Sequence, residues 1–446
     1  MTNTREIILN ILNESFDNFN FQKNTIENYL INIENQNDNR LIKETVYGIV
    51  KNLTLIDDII DSYSKIKIKK LHKIVLNCLR IGVYQIIYLD RVPSYAIIND
   101  CVNLVKKYTH VGNAKFVNAI LRNINSDKEN IKESYSKLNL NYNTLALLYS
   151  FPDYIVKKWA DDYGIEFTQQ LLDSLNSKPK LNIRANTLKT TRDNLKGLLI
   201  NRGYDLEETK YSSVGLVVHN PDNLFKTLEF INGYFTVQDE SSMLVTEIAD
   251  PKEKTLILDM CAAPGGKSTH IAEYLRDNAT IIARDKSSNK VQLIKQNIER
   301  LNLKSIRTEI FDAIKLDNEL INKVDYCFVD APCSGLGLIR RKPDIKWNRT
   351  IENIKELIEL QSEILDVASK YVKIDGELIY STCTINDDEN IAQIKNFLIT
   401  HPNYILVEFD KRFYELFNTA KDGYVQLFPN IHGTDGFFIA KLKRVV

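Results

Sequence analysis

The chain has 446 residues, is 44% hydrophobic and 26% charged, and carries no net charge. That composition excludes disordered, collagen-like and disulfide-scaffold classes and provides enough chain for two or three globular domains. No apolar run approaches the roughly 18 residues of a membrane span, and the amino-terminal stretch lacks a basic patch leading into an apolar core, so a cytoplasmic protein without a membrane partner is expected. The six cysteines, Cys78, Cys101, Cys261, Cys327, Cys333 and Cys383, form no C-x-x-C pair. This argues against a disulfide framework or zinc ribbon and for a reducing compartment, and no metal is expected.

Residues 1–130 read as helices. Leu71, Val75 and Cys78, then Ile97, Cys101 and Val105, then Phe116, Ile120 and Ile124 repeat at helical spacing, and Ser94 is placed to cap a helix after Pro93. Charge is uneven. Residues 63–125 hold eleven Lys and Arg (Lys65, Lys67, Lys69, Lys70, Lys73, Arg80, Arg91, Lys106, Lys107, Lys115, Arg122) against Asp90 and Asp100, a footprint that attracts polyanions. Residues 131–178 read as a helical connector. From LNIRANT the period changes, and strand-like LNIRAN, GLVVHN and GYFTVQDE around the helix TTRDNLKGLLINRG predict a small α+β module over 179–245.

Residues 246–446 carry the third pattern. TLILD, TIIARD, SIRTEIFD, DYCFVD and ELIYST are short apolar-rich runs, most ending in an acid or hydroxyl residue, and helical stretches separate several of them. Such alternation predicts a mainly parallel sheet covered on both faces, with ligands at the carboxyl ends of its strands. After the first run comes a turn of small residues, Cys261, Ala262, Ala263, Pro264, Gly265 and Gly266, followed by Lys267 and a helix. It nearly satisfies the phosphate-binding pattern G-x-x-x-x-G-K-[ST], which would make the protein a nucleoside triphosphatase. Cys261, however, stands at the first glycine position and Pro264 lies in the loop. S-adenosylmethionine fits better: Asp285 lies about 20 residues beyond the glycines, where a carboxylate grips ribose hydroxyls, and Asp312 is placed for an adenine edge.

The motifs DMCAAPGGKSTHI, VDAPCSGLGLIRRKPDIKW, YSTCTINDDEN and HGTDGFFIAKL, extended upstream by NIRANT and FTVQDESS, resemble the bacterial 16S ribosomal RNA cytosine-5 methyltransferase B (Sun/Fmu) family. DRVPSYAIINDCVNLVKKY and NAKFVNAILRNI resemble the NusB-like RNA-binding domain. The resemblance implies a multidomain protein with an all-α NusB-like bundle, a small α+β RNA-binding module and a C-terminal α/β Rossmann-like class I methyltransferase domain. It implies S-adenosyl-L-methionine as cofactor and 16S rRNA as partner; a monomer is expected. A phosphate-loop hydrolase in ribosome assembly and a non-catalytic antitermination-type RNA-binding factor are the alternatives.

Methylating C5 of cytosine calls for a thiolate that adds to C6, an acid at the ring edge and an acceptor for the C5 proton. Spacing leaves open whether Cys333 or Cys383 attacks. The resemblance implies Cys383 as nucleophile, Cys333 as the group that resolves the adduct and Asp330 at ring N3, with Asp330 also near the cofactor. Arg340, Arg341, Lys342 and Lys346, with Trp347 among them, are expected to meet RNA phosphates and an unstacked base. Arg184 is expected to join them, while Asn186, Asp435 and Gly436 resemble residues lining the site. Cys78, Cys101 and Cys327 read as buried apolar residues, and His432 as structural.

Overall fold

Helical periodicity organises the first part of the chain. In the computed structural model, which describes residues 4–17, 23–31, 33 and 35–446, helices Thr4–Asp17, Gln36–Lys51, Leu53–Tyr63, Lys73–Tyr88, Ser94–Tyr108 and Val111–Ser126 share one apolar core. Cys78 and Cys101 lie inside it with no exposure. Ser94 is the first helical residue rather than the cap; Pro93, with its fixed backbone angle, holds the cap position without a side-chain bond. Helices Lys128–Ser136, Tyr142–Tyr149, Asp153–Tyr163 and Ile165–Asn176 follow. Together with Lys342–Asn348, residues 1–176 form one compact unit. No helix among the described residues is long and apolar enough to cross a membrane.

The second unit comprises residues 177–341 and 349–446. Strands β1 (Leu181–Ala185), β2 (Leu206–Glu208), β3 (Gly215–Val218) and β4 (Phe235–Val237) form an antiparallel sheet in the order β2-β3-β1-β4. Helix Arg192–Asn201 covers it through Leu195 and Leu199, which join Ile183, Leu216 and Phe235 in a small core.

Eight further strands make the main sheet: β5 (Leu256–Asp259), β6 (Thr280–Asp285), β7 (Ile306–Ile310), β8 (Val324–Asp330), β9 (Val372–Thr382), β10 (Tyr404–Leu406), β11 (Tyr424–Leu427) and β12 (Phe437–Arg444). Their order is β10-β12-β9-β8-β5-β6-β7, with β11 also on β12; β5 to β9 are parallel, and β12 runs against β9. Alternate side chains enter two separate cores, Ile257, Ala283, Phe328 and Ile379 on one face and Leu258, Ile282, Cys327 and Leu378 on the other. That burial on both faces explains why these runs are continuously apolar. The chain moves outward from β5 through β6 to β7 and then returns to β8 on the other side of β5. This reversal opens a crevice at the carboxyl ends of β5 and β8, where open α/β sheets take their ligands.

Candidate active site

The turn after β5 is built for close approach of backbone to a ligand. Gly265 has φ +99°, a conformation costly for residues with a Cβ, and its N–H bonds Ala262 O at 2.7 Å. The first bond of helix Gly266–Tyr274 is Thr269 N–H to Gly265 O at 2.9 Å, so the N–H groups of Gly266, Lys267 and Ser268 precede the helical ladder. A Cβ on Gly266 would meet nothing nearer than the Gln238 side chain, at 3.7 Å. At the end of β6, buried Asp285 accepts the Ser287 N–H at 3.0 Å; Asp312, beyond β7, stays half-exposed. A turn with room for a ligand and acids after the next two strands fit a nucleoside with free hydroxyls. Asp259 is fully buried against the Ser268 hydroxyl at 2.5 Å, and burial pushes its carboxyl up to about 6. Burial also pushes the Cys261 thiol well up, in keeping with a residue that contributes backbone.

The loops after β8 and β9 bring the two thiols together. Strand register sets Asp330 beside Ser381, and Ala331 N–H bonds Ser381 O at 2.9 Å. Gly337 N–H then bonds Cys383 O, and Gly436 N–H bonds Gly337 O, both at 3.1 Å. A Cβ on Gly337 would sit 1.9 Å from Gly436 O, so three of the sequence motifs meet where only glycine fits. The outcome is a Cys333 Sγ to Cys383 Sγ distance of 3.3 Å between two free, half-buried cysteines. Asp330 accepts Lys267 Nζ at 2.5 Å and the Ser381 hydroxyl at 2.9 Å. The hydrogen bond with Cys383, followed by burial, pushes the Cys333 thiol well above its ordinary range.

Around these thiols lies a polar cradle that sequence reading missed. Glu389 accepts Ser334 N–H at 2.8 Å, Ser334 Oγ–H at 2.5 Å, Asn386 Nδ2 at 2.9 Å and Gln361 Nε2 at 3.1 Å. Ser334 Oγ in turn lies 2.6 Å from Thr384 Oγ1. Glu389 closes the acidic run Asp387-Asp388-Glu389 and has no exposure. The only local signal was its place inside YSTCTINDDEN.

Four of the five expected RNA-binding cations have internal partners. Arg340 is buried and donates to Asp435 at 2.6 Å; Arg341 bonds Asp435 and, at 2.6 Å, Asp239. Arg184, with no exposure, grips Glu273 through two bonds of 3.0 Å and reaches Gly266 O at 2.8 Å, which fastens β1 to the glycine turn. Lys346 is wholly buried within the helical unit, where its ammonium meets Lys51 O, Tyr149 O and Asn176 Oδ1 at 3.0, 3.1 and 2.7 Å. Trp347 donates to Val50 O at 2.9 Å. Only Lys342 is exposed. A buried guanidinium held by carboxylates does not reach phosphate without breaking those bonds. Asn186 bonds Gly233 O at 2.9 Å, and His432 accepts Phe428 N–H at 2.9 Å while burial lowers its pKa.

Comparison with known proteins adds an independent line. Residues 246–443 match the family model of 16S rRNA methyltransferase RsmB/F, residues 2–126 that of the NusB family, and residues 151–224 that of the RsmF/B-like ferredoxin-like domain. A probable ribosomal RNA small subunit methyltransferase B of Bacillus subtilis (strain 168) is 35% identical, with 99% of each chain covered. The ribosomal RNA small subunit methyltransferase B of Photorhabdus laumondii is 30% identical over the same shares. Among solved structures, PH0851 aligns over 99% of this chain and 98% of its own, with TM-score 0.80 and 26% identity. NSun6 from Pyrococcus horikoshii with SFG covers 66% of this chain and 99% of its own, with TM-score 0.59 and 26% identity.

Proposed function

The chain belongs to the 16S rRNA methyltransferase RsmB/F family, and from that membership we propose that it methylates C5 of a cytosine in 16S rRNA through a covalent bond between Cys383 and C6. Family membership removes the ground for a phosphate-loop hydrolase or a catalytically idle RNA-binding factor. S-adenosylmethionine, when bound, supplies an electrophilic methyl group; the turn from Cys261 to Lys267, with Asp285 and Asp312, would hold it.

The observation that carries the reading is the thiol pair, 3.3 Å apart beside the Asp330 carboxylate at the end of β8. C5 of cytosine is a weak nucleophile, and addition of the Cys383 thiolate to C6 turns it enamine-like. Asp330 meets the ring edge at N3 as charge develops there. Two neighbouring thiolates repel each other, so the pair keeps one proton, which this reading places on Cys333. Once the Cys383 sulfur is bonded to carbon, it no longer forms a thiol–thiolate pair with Cys333. After C5 has been methylated, Cys333, its own proton lost to solvent, takes the C5 proton; that bond's electron pair restores the C5–C6 double bond and expels Cys383 as the thiolate.

RNA engagement by the helical unit rests on its exposed lysines. Lys65, Lys69, Lys70, Lys106 and Lys115 are exposed. A cavity of about 620 Å³ in the same unit is lined by Lys70, His72, Tyr108, His110, Asn113 and Phe116, among others. Lysines for phosphates and rings for an unstacked base suit single-stranded RNA. The direct test is transfer of a labelled methyl group from S-adenosylmethionine to 16S rRNA, with the product base identified. Label in 5-methylcytosine is expected; label on another base or atom would refute the cytosine-5 reading.

A further inference from the structure

Glu389 has no part in the chemistry above, yet it is the best-bonded acid near the thiols. It has no exposure and takes four hydrogen bonds, and among the described residues no Lys, Arg or His forms an ion pair with it. Burying a carboxylate without a counter-ion is costly unless donors replace its water, and four neutral donors do so here.

Both thiol loops hang on this carboxylate. On the Cys333 side, Glu389 holds Ser334 through N–H and hydroxyl, while Gln361 bridges Glu389 and Pro332 O, the latter at 2.9 Å. On the Cys383 side, Thr384 meets Ser334 Oγ; since the Ser334 hydroxyl donates to Glu389, the Thr384 hydroxyl donates to Ser334. Each cysteine is thus followed by a residue tied into the same knot. We propose that Glu389 is a positioning residue for methyl transfer: its bonds to the two thiol loops set the gap between the sulfurs and favour Cys383 over Cys333 as the reactive thiol.

This rests on the division of labour between the cysteines given above. The titratable groups acting on Cys333 are Cys383, Glu389, Asp330, which is paired with Lys267, and Tyr380, whose hydroxyl donates to Glu389 O at 2.8 Å. Negative charge on Glu389 and Asp330 disfavours a thiolate at Cys333, in the same direction as burial.

The test uses the full-length protein without RNA, treated with limiting iodoacetamide near neutral pH and mapped by mass spectrometry. In the unsubstituted protein Cys383 should carry most of the label on the pair. In Glu389→Gln, which keeps the shape and loses the charge, the Cys383 to Cys333 label ratio should fall about tenfold, the effect of one pKa unit. kcat should fall with it while KM for RNA holds. Glu389→Asp, which keeps the charge, should return the ratio towards the original. An unchanged ratio in Glu389→Gln would overturn the proposal, and an even or reversed ratio in the unsubstituted protein would do so whether or not any variant folds. The identity of the cysteine that bonds RNA is measured separately on a denaturing gel, so failure there and failure here are told apart.

Discussion

Two basic regions of this molecule look alike in sequence and differ in structure. In residues 63–125 many lysines project from helices of one unit and stay exposed, whereas Arg340, Arg341 and Lys346 bury their charged groups against acceptors. The difference lies in what meets each cation in space: Asp435 and Asp239 lie about a hundred residues away in sequence from the arginines they hold. A cation's role follows from its partner, so substitutions in the two regions should fail in different ways.

The largest effect should come from an internal pair at the proposed active site, Lys267–Asp330. Asp330→Asn keeps the side-chain volume and should lower kcat about a thousandfold, within the range for a positioned acid or base, with single-turnover methylation as the measure. An effect on RNA affinity alone would move Asp330 out of the reaction. Next comes Arg340→Met, which leaves buried Asp435 short of a partner; stability should drop by about 4 kcal/mol, as for other broken buried pairs, read by denaturant unfolding. RNA affinity of the folded fraction should hold, and a selective loss of RNA binding would restore Arg340 to the RNA-facing set.

Asp259 is a buried acid that forms no ion pair among the described residues, and it should show in pH dependence. Its folded pKa of about 6 lies above the ordinary carboxylate value, so its stabilising contribution is complete below pH 4 and is lost as pH rises through 6. Stability lost over that window should reach about 3 kcal/mol, from 1.36 kcal/mol per pKa unit, and Asp259→Asn should flatten it. A variant with the same slope as the unsubstituted protein would place the titration elsewhere. The smallest effect belongs to the exposed region: Lys70→Glu should weaken RNA binding by roughly threefold and lower the salt slope by about one, with unfolding unchanged. A stable variant with unaltered salt dependence would remove Lys70 from the RNA surface.

Much of the catalytic unit was legible because its signals are local. Each parallel strand is a short apolar run with the residues assigned to the site at or just beyond its end, as with Asp285, Asp330 and Cys383, and glycines mark the turn that must bend. Cys78, Cys101 and Cys327 declared their burial through the period of their neighbours. Less legible were features made by distant partners. Arg184 meets Glu273 across 89 residues, and Ser334 meets Glu389 across 55, so neither pairing leaves a mark on the local pattern. Edge strands β10 and β11, only three and four residues long, owe their existence to open backbone groups on β12 rather than to a strand pattern of their own.

The most direct test of the central claim sets two substitutions side by side with 16S rRNA and S-adenosylmethionine on a denaturing gel. Cys333→Ala should attack and stall, leaving protein bonded to RNA, while Cys383→Ala should give no such band. A band from Cys383→Ala and none from Cys333→Ala would reverse the roles assigned to the two thiols.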